Sequence, residues 1–196
     1  GFDEHVILGM PTTNPDNINL VRIGFALSYN KQNKLSDWVS YKLKREYVEA
    51  DGLFDERPFT RDPDILAEYS QEYSDYTNTG YDRGHLARQA DMRGRNIYCE
   101  FESIFLSNIA PQLPGLNRST WLVLENQMQD WAAFYDSVWV VTGPIYEGTI
   151  RYLGDSQTAL PTHYYKIVCR YDGMQWVAMG FIMAQEAESN ELSEYL

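Results

Sequence analysis

The chain has 196 residues, a formal net charge of −12 at pH 7, 44% hydrophobic and 14% aromatic residues. That much burial potential excludes a disordered chain, and the length suits one compact core, so residues 1–196 read as a single domain. So acidic a body excludes a protein that coats nucleic acid through bulk charge, although a local basic groove is compatible with the cluster Arg83, Arg88, Arg93 and Arg95.

The start, Gly1-Phe2-Asp3-Glu4, lacks the basic and apolar regions of a signal peptide, and no run of about 18 apolar residues predicts a membrane span. From Val21 to Tyr29 apolar residues alternate with Arg22, Gly24, Ala26 and Ser28, which predicts one half-buried strand. Asn30 to Lys34 reads as a loop and Trp38 to Leu43 as a partnering strand. The stretch from there to Tyr81 is polar and carries Pro58 and Pro63, so it reads as a surface connection with one short helix near Ile65 to Tyr73. Ile104-Phe105-Leu106 predicts a short strand, followed by a loop through Pro111, Pro114 and Gly115. Between Asn117 and Tyr135, Trp121, Leu124, Met128, Trp131 and Tyr135 recur at three and four residues, the buried face of an amphipathic helix. Strands follow at Ser137 to Thr142, Tyr164 to Tyr171 and Trp176 to Met183, and the acidic end from Glu186 to Glu194 reads as a solvated, frayed terminus. Strands grouped around a long helix without βαβ alternation give an α+β fold.

His85 follows Asp82-Arg83-Gly84 in a polar turn. A neutral imidazole can take a proton from water near physiological pH, as hydrolysis requires, yet on residue type alone a structural histidine is the better reading. Arg83 shifts the balance, because guanidinium holds a phosphate through paired hydrogen bonds; its ordinary alternatives are a solvated charge or a salt bridge to Asp82. Asn117 reads first as an N-cap, but its amide oxygen is also a hard ligand for Mg²⁺, which keeps several waters and accepts few protein oxygens. Glu125 lies about 80° around and about 12 Å along an ideal helix from Asn117. It can orient a water on such an ion, or simply face solvent. Cys99 and Cys169 have no zinc-site spacing, and either one disulfide or two buried thiols fits. Neither a G-x-S-x-G elbow nor a glycine-rich nucleotide loop occurs.

Taken as an ordered set, Trp38-Val39-Ser40-Tyr41-Lys42, Tyr81-Asp82-Arg83-Gly84-His85-Leu86-Ala87, Leu106-Ser107-Asn108-Ile109-Ala110-Pro111-Gln112, Leu116-Asn117-Arg118-Ser119-Thr120-Trp121 with Glu125, Thr142-Gly143-Pro144 and Pro161-Thr162-His163 resemble the DNA/RNA non-specific endonucleases of the ββα-metal group. That group includes secreted bacterial nucleases and mitochondrial endonuclease G, and the resemblance runs from about His5 to Met183. It implies a central antiparallel β-sheet with helices packed on its faces, and a ββα-metal motif that holds His85 and Asn117 together. It also implies Mg²⁺-dependent hydrolysis of DNA and RNA, with Mn²⁺ or another divalent cation as a substitute. His85 matches the general base, Asn117 the single protein ligand to the metal, and Glu125 the acid that orients water on it. Arg57 matches a phosphate-contacting arginine, and Arg83 and Asn108 match further site-shaping positions. Bacterial secretion or a periplasmic location, a protein inhibitor and a homodimer belong to the same expectation.

Three departures stand out. Arg88 replaces a proline common soon after the histidine, Gln129 replaces an arginine common on the helix, and members often continue beyond a segment like Glu191 to Leu196, so the chain reads as shortened at its C-terminus. Gln129 and the −12 charge motivate an alternative, a nucleic-acid-binding or regulatory module of the same fold with weakened catalysis.

Overall fold

The computed structural model describes residues 2–50, 57–187 and 189–196. Its centre is an antiparallel sheet in the order β1 (Ile18–Val21), β2 (Ala26–Asn30), β3 (Leu35–Lys44), β6 (Ser137–Ile145), β9 (His163–Tyr171), β10 (Trp176–Ala184). Two small pairs stand apart, β4 (Asp82–His85) with β5 (Ile109–Gln112), and β7 (Arg151–Leu153) with β8 (Thr158–Leu160). The helices are α1 (Phe2–His5), α2 (Arg45–Val48), α3 (Gln89–Arg93), α4 (Ile97–Ser103) and α5 (Trp121–Tyr135).

The two-residue period of the strands sorts the sheet into faces. Val39, Tyr41 and Leu43 of β3, Val138 and Val140 of β6, Tyr164 and Val168 of β9, and Phe181 and Met183 of β10 share one buried cluster. Against them α5 sets Trp121, Leu124, Met128 and Ala132, all buried. Burying Leu124 and Met128 contributes about 1.5–3 kcal/mol each. The opposite face has thinner cover: α1 and the residues after it pack Val6 on Ala26 and Trp38, and Trp139 Nε1 donates to the Glu4 carbonyl at 2.9 Å. This is the α+β architecture expected, with the long helix on one face and only short structure on the other.

The β4–β5 pair is fixed to the sheet through β5. Tyr164 Oη and Gln185 Nε2 donate to the Pro111 carbonyl at 2.5 and 2.7 Å, and Ser36 Oγ donates to the Ser107 carbonyl at 2.7 Å. Those contacts set the height at which His85, on β4, faces the start of α5.

Several sequence expectations are corrected. The alternation from Val21 to Tyr29 spans two strands, because residues 22–25 turn back on themselves with Arg22 N donating to the Phe25 carbonyl at 2.7 Å. Arg22 is held there by ion pairs to Asp62 and Asp64. The helix near Ile65 to Tyr73 is replaced by 3₁₀ turns at Ala67–Tyr69 and Tyr73–Tyr76. Nor does the whole polar connection lie on the surface: Asp62, Ser70, Gln71 and Asp75 are buried, and Gln71 Nε2 reaches the carbonyls of Lys34, Leu106 and Ile109. Its residues 51–56 lie outside the described residues. The strand expected at Ile104 to Leu106 is reduced to one bridge between Phe105 and Thr60. Cys99 and Cys169 are buried free thiols. The acidic end carries a 3₁₀ turn, Leu192–Tyr195, tied to Ser189 through Tyr195 Oη.

Candidate active site

A cleft opens between the end of β4, α3 and the first turns of α5, lined by His85, Arg88, Gln89, Ala90, Arg93, Asn117, Leu122 and Glu125. His85 and Asn117 come from segments 32 positions apart, and the β4–β5 pairing brings them together.

Next to His85, Gly84 is the residue that lets β4 lie this close to β5, since a Cβ there would fall 2.1 Å from Gln112 Oε1. Beyond His85 the chain is clamped by Asn108, which is fully buried. Its Oδ1 accepts from Ala87 N at 2.8 Å, and its Nδ2 donates to the carbonyls of Ala87 and Ser103, each at 2.8 Å. With its amide fully engaged on backbone, Asn108 shapes the site from beneath. The imidazole of His85 leans on Phe59 at 5.3 Å between ring centroids, and its Nε2 is buried without a hydrogen-bond partner among the described residues. Burial, helped by the nearby Arg88 charge, lowers its pKa to about 4, so the ring is neutral at physiological pH.

Asn117 is not an N-cap. It lies within a π-helical turn, Leu116–Thr120, that runs into α5. Its Nδ2 donates to Asp82 Oδ2 at 3.0 Å, while Arg118 grips the same carboxylate through Nε at 2.7 Å and Nη2 at 2.6 Å. Burial works against the Asp82 charge, yet these bonds hold its carboxyl below the ordinary range. The salt bridge of Asp82 is therefore with Arg118 rather than Arg83. With its nitrogen turned to the Asp82 carboxylate, the Asn117 amide has its oxygen on the opposite side, and Oδ1 takes no hydrogen bond among the described residues. No group of three or more His, Cys, Asp or Glu that could hold a metal exists among them either. The donors present thus suit a hard cation that is content with one protein oxygen and water.

Glu125, far from facing solvent, is 7% exposed. Oε2 lies 3.5 Å from Arg88 Nε and Oε1 3.7 Å from Lys166 Nζ. Burial pushes its carboxyl above the ordinary range, against the pull of Lys166 and Arg88. Arg88 also donates to Asn126 Oδ1 at 2.9 Å, so the residue that departs from the family pattern gives this wall of the cleft a positive charge. Gln129 turns away: its Nε2 donates to Asp91 Oδ1 at 2.8 Å, and Tyr41 Oη donates to Asp91 Oδ2 at 2.8 Å.

The remaining expected residues stand at different distances from this centre. Arg57 lies in an adjoining depression, its guanidinium 5.2 Å over the Phe101 ring, with Gln89 lining both that depression and the cleft. Arg83 is outside the cleft lining: it stacks 3.6 Å over Tyr73 and donates to the Tyr73 carbonyl at 2.6 Å. Lys166 and Asp82 were not anticipated as site residues. The signal for Lys166 was its place between Tyr164 and Val168 in an alternating strand, a core position occupied by a charge.

The model of the DNA/RNA non-specific endonuclease family matches residues 3–196. The chain belongs to that family. It is 31% identical over 157 residues to human mitochondrial endonuclease G, covering 75% of this chain and 52% of the human protein. It is 32% identical over 174 residues to a nuclease of Serratia marcescens, covering 84% of this chain and 63% of that one. Thus the chain spans about half to two thirds of the length of these relatives. A solved complex of EndoG with EndoGI, described in terms of EndoG inhibition, superposes with a TM-score of 0.90 at 26% identity, covering 98% of this chain and 84% of that one. Bacterial and mitochondrial proteins both figure among the relatives, so kinship assigns no compartment.

Proposed function

We propose that the protein is a Mg²⁺-dependent, sugar-nonspecific endonuclease that hydrolyses phosphodiester bonds of DNA and RNA. The observation that carries this reading is one cleft holding a neutral His85 with an unpartnered Nε2, an Asn117 whose amide oxygen is turned free by Asp82, and the carboxylate of Glu125. The neutral imidazole of His85 accepts the proton of the attacking water as the P–O bond to the leaving oxygen breaks, and that oxygen takes a proton from solvent water in the cleft. Asn117 Oδ1 would hold the cation, and Glu125 orients water beside it. Mg²⁺, when bound, supplies Lewis-acid neutralisation of charge on the phosphate. Arg88 and Arg93 in the cleft, with Arg57 beside it, bind the phosphodiester backbone; such contacts carry little base information, and no step needs a 2′-hydroxyl. Mn²⁺ replaces Mg²⁺ in this scheme, and a protein inhibitor that blocks the cleft and a homodimer that leaves it open both fit the reading.

The test is cleavage of double-stranded DNA, single-stranded DNA and RNA with Mg²⁺ and with chelator, for the wild type, His85→Ala and Asn117→Ala. All three substrates are cut only with metal, and His85→Ala lowers turnover by about 10²–10⁴. Undiminished cleavage by His85→Ala overturns the assignment of the base. DNA that is retarded but uncut supports the binding module instead.

A further inference from the structure

Lys166 is the charged residue on the inner face of the sheet that the reaction scheme leaves unused. On β9 it stands opposite Thr142 of β6 and Phe181 of β10, between the core residues Tyr164 and Val168, and its side chain is fully buried. Its Nζ lies 4.6 Å from the Trp121 ring centroid and 3.7 Å from Glu125 Oε1, with no hydrogen-bond partner among the described residues. A buried ammonium is costly unless a counter-charge answers it. Asp91 is nearby, but Tyr41 and Gln129 each occupy one of its carboxylate oxygens. Glu125 is the acid with which Lys166 forms an ion pair, and Glu125 reaches from that pair to the cleft shared with His85 and Asn117.

We propose that Lys166 is a positioning residue of the cleft, which from beneath α5 holds the Glu125 carboxylate as an oriented anion while Arg88 takes its other oxygen. This rests on the nuclease reading above. An apolar side chain would satisfy the packing at this strand position, and exchange of a buried ion pair for apolar residues is often neutral or stabilising. A lysine kept only for stability is therefore a poor account of the site. Burial pushes the ammonium of Lys166 down and the carboxyl of Glu125 up, and each partner opposes the shift of the other. The charged or titratable groups that face Glu125 are Lys166, Arg88, Asp91 and Tyr41.

The experiment compares Lys166→Met, Glu125→Gln and the double variant in DNA cleavage with Mg²⁺, recording kcat and KM across pH, thermal melting, and Mn²⁺ binding by calorimetry. Lys166→Met leaves the buried Glu125 with Arg88 alone, so it is expected to remain folded but melt lower than the wild type, to lose kcat about tenfold with little change in KM, and to shift the acid limb of kcat to higher pH, while the double variant, which removes the whole pair, regains melting temperature. In the Glu125→Gln background the same change costs nothing further, and Lys166→Arg recovers part of the lost kcat. Full activity of Glu125→Gln overturns the role given to Glu125 and, with it, this proposal. An impaired Glu125→Gln beside an unimpaired Lys166→Met leaves the nuclease reading intact and overturns the inference alone, as do losses that multiply in the double variant. Should Lys166→Met fail to fold, a ¹³C-carboxyl titration of the wild type, with Glu125 assigned through Glu125→Gln, decides the matter. An ionised Glu125 near neutral pH is expected, and a protonated one refutes the proposal.

Discussion

Replacing Asp82 by alanine tests how the amide of Asn117 is aimed. In the wild type, Asn117 Nδ2 gives its hydrogen bond to an ionised Asp82 at 3.0 Å, which leaves Oδ1 toward the cleft. A hydrogen bond to a charged partner is worth about 1.5–3 kcal/mol, and the Asp82 side chain is 17% exposed, so the lower end applies. Losing about 1.4 kcal/mol of orientational preference corresponds to about a tenfold change in an equilibrium constant, within the range expected when a residue supporting a metal ligand is removed. Asp82→Ala is therefore expected to bind Mn²⁺ or Mg²⁺ about tenfold more weakly by titration calorimetry and to need correspondingly more metal for half-maximal cleavage, with kcat at saturating metal largely kept. Asp82→Asn, which still offers an acceptor oxygen, recovers part of the affinity. Arg118→Ala leaves the Asp82–Asn117 bond in place and has a smaller effect. Unchanged metal affinity in Asp82→Ala would refute the argument that this bond aims the ligand.

Asn108→Ala strands one backbone N–H and two carbonyls in the core and is expected to cost roughly 3–6 kcal/mol, read as a lower denaturant midpoint, together with activity lost through displacement of His85. Gly94→Ala places a Cβ 1.7 Å from the Tyr47 carbonyl oxygen, so a loss of about 1–3 kcal/mol in chemical denaturation should follow, and an unchanged midpoint would contradict that contact. His5 is buried, and burial first, then the charge of Arg95, lower its pKa to about 4 from 6.5. The unfolded chain takes up this proton first, so the contribution is complete above pH 6.5 and about 3 kcal/mol of it is lost as pH falls to 4. His5→Leu should flatten the stability curve over that interval, and an identical slope would rule His5 out as a source.

Much of this arrangement could be read from the chain before any coordinates. The apolar stretches at Trp38 to Leu43, Ser137 to Thr142, Tyr164 to Tyr171 and Trp176 to Met183 fall within β3, β6, β9 and β10, and three-four spacing marked Trp121, Leu124 and Met128 as the buried face of α5, although Tyr135 at its end is exposed. What escaped depends on partners distant in sequence. The turn at residues 22–25 is stabilised by Asp62 and Asp64, some forty positions away, and no local pattern records it. Gln71 and Asp75 look like surface residues in a polar stretch, and only the backbone carbonyls of Leu106 and Ile109 or the turn at Ser156 explain their burial. Within the site, His85, Asn117 and Glu125 were legible as residues, whereas the two groups that set their chemistry, Asp82 and Lys166, were hidden. One looked like a partner for its neighbour Arg83, and the other like an ordinary strand lysine.

The π-helical turn at Leu116–Thr120 makes the phase between Asn117 and Glu125 depend on residue number as well as residue type. Such a turn accommodates roughly one residue more than an α-helical path over the same rise. Deleting one residue within the turn would let the segment relax into a continuous α-helix with Asn117 near its present phase relative to Glu125, whereas adding one more residue would swing Asn117 by about 100° and carry its amide off the cleft while the buried side of α5 stayed in place. Changes of length in this turn are thus a way to separate folding from chemistry without altering any residue that lines the cleft.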